Sequence, residues 1–326
     1  MSLDDITLWG AGMATMKRIQ YHQYGGPEVL RLENFEPARP GAGEILVRVR
    51  AAAANPMDWK IRNGEMKIMT GRAFPRGLGH DFAGVVEAVG DGVTRLAVGD
   101  AVLGGVGIKA AGAFSEMVLA EEKAVVRKPT DLSFEQAAAI PTVGLTAFQA
   151  MTGKGKLRPG QAVFIHGCLG GVGRAAVQFA MMRGASSVAG SCRASAARDA
   201  HDLGVTPVVE FDFDPAALSG RFDLVFDTAG TLPIKAARTL LKPGGRILDI
   251  TPTPAKFARS ALPGPFQVMI AQPITSDLEE VARAAGQGTL RLPIARTVPL
   301  AESIAALMEL ERHRTPKGGK LVIAVD

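Results

Sequence analysis

Cysteine is scarce in this sequence, since Cys168 and Cys192 are the only two among 326 residues. Two cysteines are too few for a disulfide framework or for a cysteine-rich zinc site. Neither lies in the first half of the chain. The composition therefore favours a reducing compartment, and we expect a cytoplasmic location.

Long apolar runs and basic tracts are missing as well. The most apolar window, residues 137–151, is interrupted by Pro141 and Gly144 and is shorter than the about 20 residues that cross a bilayer. Residues 1–15 lack the basic start and apolar core of a signal peptide, so we interpret them as an extension or an expression remnant. The net charge is +5, but Lys and Arg are scattered without interleaved aromatic residues. We therefore expect neither a membrane nor a nucleic acid as partner.

The sequence pattern changes near residue 133. Before it, short extended runs are broken by glycine and proline, which predicts a compact β domain. After it, short apolar runs alternate with segments of helical spacing, which predicts a parallel, doubly wound α/β sheet. The predicted strands of this sheet are 163–165, 188–189, 208–211, 224–226, 247–250 and 268–270, and the predicted helices include 194–203 and 275–285. The tail is predicted to hold one helix, 301–312, and one strand, 321–325.

The stretch 163–180 contains the main functional signal. An apolar run stops at a glycine-rich segment, and apolar residues then repeat at helix spacing, which indicates strand, tight turn and helix. Such a turn directs backbone N–H groups and the positive end of the helix dipole at one point, which suits a pyrophosphate. Cys168 stands where the G-x-G-x-x-G fingerprint has its first glycine, while Gly170 and Gly173 keep the other two. A glycine-rich connection without a ligand is the alternative.

An acidic residue is missing where an NAD enzyme normally has one. That acid follows the glycines by about 20 residues and binds the ribose 2′-hydroxyl. This chain has Ser191, Cys192 and Arg193 there. A serine hydroxyl and an arginine fork suit a 2′-phosphate, so we predict NADPH rather than NADH. The alternative for Arg193 is an ordinary solvated surface cation.

A set of motifs follows one order along the chain. They are YGGPEVL (24–30), NPMDWKIRNG (55–64), GHDFAGVV (79–86), VGD (98–100), PTVGLTA (141–147), the glycine loop and LKPGGR (241–246). In this set the chain resembles a medium-chain dehydrogenase/reductase of the zinc-independent quinone oxidoreductase, or zeta-crystallin-like, branch. The resemblance implies a GroES-like, β-rich catalytic domain over 16–137 and 289–326, a Rossmann NADPH-binding domain over 138–288, and a homodimer or higher homo-oligomer.

Zinc is not expected in this chain. Matching the motifs to zinc-dependent relatives places their three catalytic ligands at Asn55, His80 and Thr142, so that only the histidine remains. One imidazole with an amide and a hydroxyl is a poor zinc site, because zinc normally takes three strong protein ligands. We therefore expect no metal and interpret His80 as a hydrogen-bonded structural residue.

The same resemblance implies the residues of the site. Asn55, Lys60 and Thr142 are expected near the nicotinamide, with Asn55 and Lys60 as the catalytic pair and Lys60 as the candidate hydrogen-bond donor. The alternatives are an exposed surface lysine and, for Asn55, a turn residue before proline. The further cofactor-binding residues expected are Gly170, Gly171, Val172 and Gly173 for the pyrophosphate, Ser191 and Arg193 for the 2′-phosphate, Ile250 and Thr251 for the nicotinamide, and Lys320 as a late contact.

These features predict hydride transfer from NADPH to an electron-poor small molecule, a quinone or an α,β-unsaturated carbonyl, because no metal polarises the acceptor. One departure from the family favours an enone slightly. Several quinone reductases carry a tyrosine after the Asn-x-x-Asp segment, where this chain has Trp59 and Lys60. The alternative is an NADPH-binding redox sensor or structural protein with little turnover. Cys168 is either a redox-sensitive thiol or a small buried residue in place of alanine.

Overall fold

The computed structural model describes residues 15–313 and 318–325. Of the predicted extension 1–15, only Thr15 falls within these ranges. The chain divides into two compact units, one formed by Met1–Pro141 with Ile294–Asp326 and the other by Thr142–Pro293. Within the described ranges, none of the helices combines the length and apolar character needed to cross a membrane.

Strands and helices of the described residues are numbered here in chain order. The strands are β1 (Met16–Tyr21), β2 (Arg31–Phe35), β3 (Glu44–Ala53), β4 (Arg76–Gly77), β5 (Asp81–Val89), β6 (Ala101–Gly105), β7 (Met117–Glu121), β8 (Val125–Arg127), β9 (Ala162–His166), β10 (Ser187–Ser191), β11 (Val208–Val209), β12 (Phe222–Asp227), β13 (Leu241–Asp249), β14 (Phe266–Val268), β15 (Ile294–Pro299) and β16 (Lys320–Ala324). The helices are α1 (Pro56–Arg62), α2 (Lys67–Thr70), α3 (Phe134–Ala138), α4 (Pro141–Gln149), α5 (Gly171–Met182), α6 (Ala197–Asp202), α7 (Ile234–Leu240), α8 (Pro254–Ser260), α9 (Thr275–Gly286) and α10 (Ser303–His313).

The first unit is built on strand β3. It lies between β16 and β5 in a sheet of order β15-β16-β3-β5-β6-β8, and β7 also pairs with it. The alternating residues Ile45, Val47 and Val49 are fully buried, as the sequence pattern predicts for a strand. Leu46 is buried too, because β3 has packed structure on both faces. A smaller sheet of order β2-β1-β4 completes this β-rich unit.

The second unit contains one parallel sheet. Its order is β11-β10-β9-β12-β13-β14, which is 3-2-1-4-5-6 when strands are counted within the unit. This is the strand order of a Rossmann fold, so the predicted doubly wound sheet is confirmed. Phe164, Val225 and Ile247 of adjacent strands lie in its core.

Some elements of the structure differ from the prediction. Strand β15 was not predicted, because in Ile294–Pro299 only Val298 is buried and the strand pairs on one side alone. Helix α1 was also missed, although Asn55 before Pro56 is a helix start signal.

Candidate functional site

The predicted glycine loop connects β9 to α5. Gly167 follows the strand at a φ of +80°, a conformation that favours glycine, and Gly170 is the N-cap of α5. A Cβ at Gly173 would lie 2.2 Å from the carbonyl oxygen of Gly167, so only glycine allows this close approach. The first N–H groups of α5, from Gly171 onward, have no helical acceptor behind them. The loop therefore has the backbone geometry of an anion cradle at the start of a 12-residue helix.

Four polar side chains form a row beneath this loop. The strand register aligns Ser191 with His166, His166 with Asp227, and Asp227 with Asp249 across β10, β9, β12 and β13. Each of the four is at most 2% exposed. They are the last residues of their strands, so each lies where the chain enters a loop at the carboxyl edge of the sheet. This polar row is thus placed under the loops that bind ligands in such folds.

His166 and Ser191 connect the row to the glycine loop. The Ser191 hydroxyl accepts a hydrogen bond from the Gly167 N–H (3.1 Å) and lies 2.7 Å from His166 Nδ1, while His166 Nε2 lies 3.0 Å from Thr231 Oγ1. Phe211 packs edge-on against the imidazole, with the ring centroids 5.0 Å apart. Burial lowers the pKa of His166 to about 4, so the ring is neutral near pH 7.

The two residues predicted for a 2′-phosphate therefore differ in their surroundings. Arg193 is exposed just beyond β10. Ser191 is fully buried, and its hydroxyl is engaged by His166 and the glycine loop. Its sequence position is as expected, but the side chain points into the protein.

The two aspartates of the row hold the next two loops. Asp227 accepts hydrogen bonds from the backbone N–H groups of Ala229, Gly230 and Leu232 at 2.7 to 3.0 Å. Burial nevertheless raises the pKa of Asp227 to about 6, and the neighbouring Asp249 adds to this, against the lowering effect of those N–H groups. Each loop is thereby tied to a buried carboxyl group at the end of its own strand.

Asp249 stands at the start of the predicted nicotinamide loop. Its carboxylate accepts from the backbone N–H of Thr251 at 2.7 Å and pairs with the ammonium of Lys256 at 2.5 Å. Ile250 and Thr251 are half-buried at the carboxyl end of β13, the position expected for them. His166, Asp249 and Lys256 were missed by the sequence reasoning. For His166 and Asp249 the available signal was a polar residue directly after or within an apolar strand pattern, whereas Lys256 in α8 gave no such signal.

A second buried polar cluster lies in the first unit. Lys320 donates to Asn55 Oδ1 at 2.5 Å, and Asn55 Nδ2 donates to Asp81 at 2.9 Å. The backbone N–H of Asn55 donates to Asp58 at 2.7 Å, and the other oxygen of Asp58 lies 2.6 Å from His80 Nδ1. Burial lowers the pKa of Lys320, opposed by the charges of Asp81 and Asp58. The structure thus brings the predicted residues Asn55 and Lys320 into direct contact.

His80 is hydrogen-bonded and buried, as predicted, but only through one ring nitrogen. Within residues 15–313 and 318–325, its Nε2 atom has no hydrogen-bond partner. Across the same part of the chain, no group of three or more His, Cys, Asp or Glu side chains is placed to hold a metal ion. Lys60 on α1 and Thr142 on α4 are half-buried, and their predicted roles remain predictions.

The environment of Cys168 decides between the two interpretations of this residue. Its side chain is fully buried, and burial raises the pKa of the thiol to about 12, with Cys192 nearby adding to the increase. A thiol with so high a pKa stays protonated and unreactive near pH 7. Cys168 is therefore a small buried packing residue rather than a reactive thiolate.

Known families and proteins match this chain over nearly its whole length. Residues 41–130 match the family described as alcohol dehydrogenase GroES-like domain, and residues 203–323 match the family described as zinc-binding dehydrogenase. A quinone oxidoreductase of Pseudomonas aeruginosa is 33% identical over 92% of this chain and 97% of its own length. A 2-methylene-furan-3-one reductase of Solanum lycopersicum is 35% identical over 72% of this chain and 62% of its own length.

The solved structure of a quinone oxidoreductase from Coxiella burnetii superposes with a TM-score of 0.87 at 31% identity, covering 96% of this chain and all of the other. The predicted GroES-like domain and Rossmann domain are both confirmed. The chain therefore belongs to the medium-chain dehydrogenase/reductase superfamily, as a quinone oxidoreductase-like oxidoreductase that uses a nicotinamide cofactor.

Proposed function

We propose that this protein is a zinc-independent oxidoreductase that transfers hydride from NADPH to a quinone or an α,β-unsaturated carbonyl. The choice of NADPH rests on the residues that follow β10. An acid there would bind a ribose 2′-hydroxyl, whereas this chain presents the exposed Arg193. A guanidinium pairs with a phosphate through two parallel hydrogen bonds and has no such partner in NADH.

The residues of the second unit suit a dinucleotide. The cradle from Gly170 to Gly173 would hold the pyrophosphate, and its shape depends on the close packing of Gly173 against the backbone of Gly167 and Cys168, which a Cβ would push apart. Ile250 and Thr251 would line the nicotinamide. The bound cofactor supplies a hydride from C4 of its nicotinamide ring. The role of these protein groups is to bind and orient, and good orientation contributes about 7 to 11 kcal/mol to lowering such a barrier.

The donor set argues against zinc in this branch of the superfamily. Of the three matched positions, Asn55 already uses both side-chain atoms, accepting from Lys320 and donating to Asp81. One imidazole, that of His80, is left as a strong ligand, and a catalytic zinc needs three. We expect less than about 0.1 zinc per chain by elemental analysis of protein purified without chelators, and about one zinc per chain would refute this part of the proposal.

Lys60 is the proposed donor to the oxygen that gains negative charge as hydride arrives. Its helix also carries the buried Asp58, so the backbone of Lys60 is held firmly. One relative is named for reducing a 2-methylene-furan-3-one, which is an enone, and others are named quinone oxidoreductases. Both acceptor classes accept hydride without a metal. The resemblance further supports a homodimer or higher oligomer, and the two cysteines without a disulfide support a cytoplasmic location.

An NADPH-binding redox sensor or structural protein is the second candidate. It is motivated by the family's missing tyrosine, since Tyr21 and Tyr24 are the only tyrosines in the chain. Both candidates bind NADPH, and a panel of quinones and enones distinguishes them. NADPH oxidation well above background with at least one acceptor supports the enzyme, and binding without turnover for every acceptor supports the sensor.

The cofactor assignment is tested by isothermal titration with NADPH and with NADH. Arg193→Ala should weaken NADPH binding about 10-fold to 100-fold, since charge-assisted hydrogen bonds contribute about 1.5 to 3 kcal/mol, and should leave NADH binding unchanged. Arg198→Ala is the matched control, because Arg198 is an exposed arginine five residues further along. Equal losses for both nucleotides in Arg193→Ala would refute the assignment.

A further inference from the structure

The side chain of Lys256 joins two loops at the carboxyl edge of the parallel sheet. Its ammonium lies 2.5 Å from Asp249 Oδ2 and donates to the carbonyl oxygen of Gly230 at 3.1 Å. Asp249 ends β13, whereas Gly230 lies in the loop that follows β12. Lys256 belongs to α8, so one side chain connects a helix, a strand end and a neighbouring loop.

These two loops have little room to move relative to each other. Gly230 has a φ of +75°, and a Cβ on it would lie 1.8 Å from Thr251 Oγ1. The loop after β12 therefore packs directly against the first residues of the loop after β13. Asp227 and Asp249 each accept hydrogen bonds from the backbone of the loop that follows their own strand, and Lys256 links Asp249 to the loop after β12.

The position of the pair in the sheet relates it to one end of the cofactor. A dinucleotide crosses the carboxyl edge at the point where strand order reverses, which here is between β9 and β12. The glycine loop after β9 takes the pyrophosphate, and Arg193 after β10 lies on the side of the 2′-phosphate. The nicotinamide end therefore extends to the other side, over the loops after β12 and β13.

We propose that Lys256 is a positioning residue for the nicotinamide end of the cofactor. Its ammonium fixes the loop at Gly230 against the loop at Thr251, so that the ring is held in one orientation for hydride transfer. This inference rests on the proposed function, because it assigns a residue of the same cofactor site. Because the Lys256 ammonium is paired with Asp249 and Gly230, its proposed effect on the cofactor is exerted through the two loops.

A matched lysine lies at the opposite edge of the same two strands. Lys242 pairs with Asp223 at 2.8 Å, near the beginning of β13 and β12. Asp223 also accepts from the backbone N–H of Ala162, as Asp249 does from Thr251. The two ion pairs thus resemble each other in chemistry and in the strands they join, but only the pair of Lys256 lies at the ligand edge.

The experiment compares Lys256→Met with Lys242→Met in the full-length chain. Hydrogen exchange without nucleotide should accelerate at residues 228–232 in Lys256→Met alone. Displacing a reacting group by about 1 Å costs on the order of 100-fold in rate, so kcat with NADPH should fall about 10-fold or more. The dissociation constant of NADPH should change much less, since the phosphate contacts are intact. Lys256→Arg, which keeps the charge, should recover most of kcat.

Three outcomes separate the possibilities. A fall in kcat with faster exchange at 228–232 in Lys256→Met but not in Lys242→Met supports the inference. Equal behaviour of the two variants, in a wild type that binds and oxidises NADPH, would overturn it and leave the proposed function intact. A wild type that binds neither nucleotide would instead refute the proposed function and this inference with it. If Lys256→Met does not fold, the double variant Lys256→Met/Asp249→Asn is compared with Lys242→Met instead. The second substitution removes the carboxylate charge of Asp249, which the loss of Lys256 would leave unpaired.

Discussion

The acid stability of the protein should depend on two residues of the polar row whose effects oppose each other. Burial lowers the pKa of His166 from 6.5 to about 4, and it raises the pKa of Asp227 from 3.8 to about 6. Between pH 6.5 and 4 the unfolded chain binds a proton at His166 that the folded protein excludes, so acidification destabilises the fold. Between pH 6 and 3.8 the folded protein binds a proton at Asp227 that the unfolded chain releases, so acidification stabilises it.

The magnitudes follow from the two pKa changes. Each pKa unit corresponds to about 1.4 kcal/mol, so His166 should remove about 3 kcal/mol from the free energy of unfolding between pH 7 and pH 4. Asp227 should add about 3 kcal/mol over nearly the same range. In the wild type these contributions largely cancel. Replacing one of the two residues should therefore reveal the pH dependence of the other.

The assay is urea unfolding at several pH values from 7 to 4. His166→Asn, which has no titrating group, should gain stability relative to the wild type as the pH falls from 6.5 to 4. Asp227→Asn should lose stability relative to the wild type as the pH falls from 6 to 4. The comparison uses the change with pH and not the stability at pH 7, which both variants lower by removing hydrogen bonds. Parallel profiles for wild type and His166→Asn would refute the interpretation of His166 as a buried neutral imidazole.

Two further predictions concern the glycine loop and the proposed donor. Gly173→Ala should abolish detectable NADPH binding by titration, because its Cβ would lie 2.2 Å from the carbonyl oxygen of Gly167, whereas Gly153→Ala, with open space around the added Cβ, should bind normally. Unchanged binding in Gly173→Ala would contradict the cradle. Lys60→Met should lower kcat about 100-fold, the effect of losing a donor to a developing oxyanion, with NADPH affinity unchanged. The exposed Lys67→Met is its control, and equal kcat values would remove Lys60 from the mechanism.

The parallel sheet could be predicted from the sequence because its central strands, β9 and β12, are buried on both faces. Runs such as Val163 to Ile165 are continuously apolar, and glycine marks where the first of them turns into a helix. Strand β15 gave no such signal, since edge strands keep one side exposed and tolerate Arg, Thr and Pro. An apolar sequence pattern reflects burial, so it predicts the central strands of a sheet better than the edge strands.

The polar row was harder to predict, and Ser191 shows why. The sequence places it correctly at the end of β10, where a phosphate-binding side chain is expected. Whether its hydroxyl points to the ligand or to the interior depends on which partner is available inside. That partner is His166, which lies 25 residues earlier and becomes a neighbour only through the register of β9 and β10. A motif gives the position of such a residue in the chain, but the pairing between strands decides which way its side chain points.

The proposal that the protein holds no zinc rests on ligand count, and the contacts of the buried cluster in the first unit add a second argument for it. An amide at Asn55 could in principle turn an oxygen toward a cation. Here that oxygen accepts a hydrogen bond from the ammonium group of Lys320. The positive charge of this ammonium would also repel a divalent ion. Asp58, which orients His80 in the manner of a carboxylate behind a metal-bound histidine, also accepts from the backbone of Asn55. The carboxylate–histidine pair is therefore present, while Lys320 occupies the amide oxygen of Asn55, and this arrangement supports the proposal that the cluster holds no zinc.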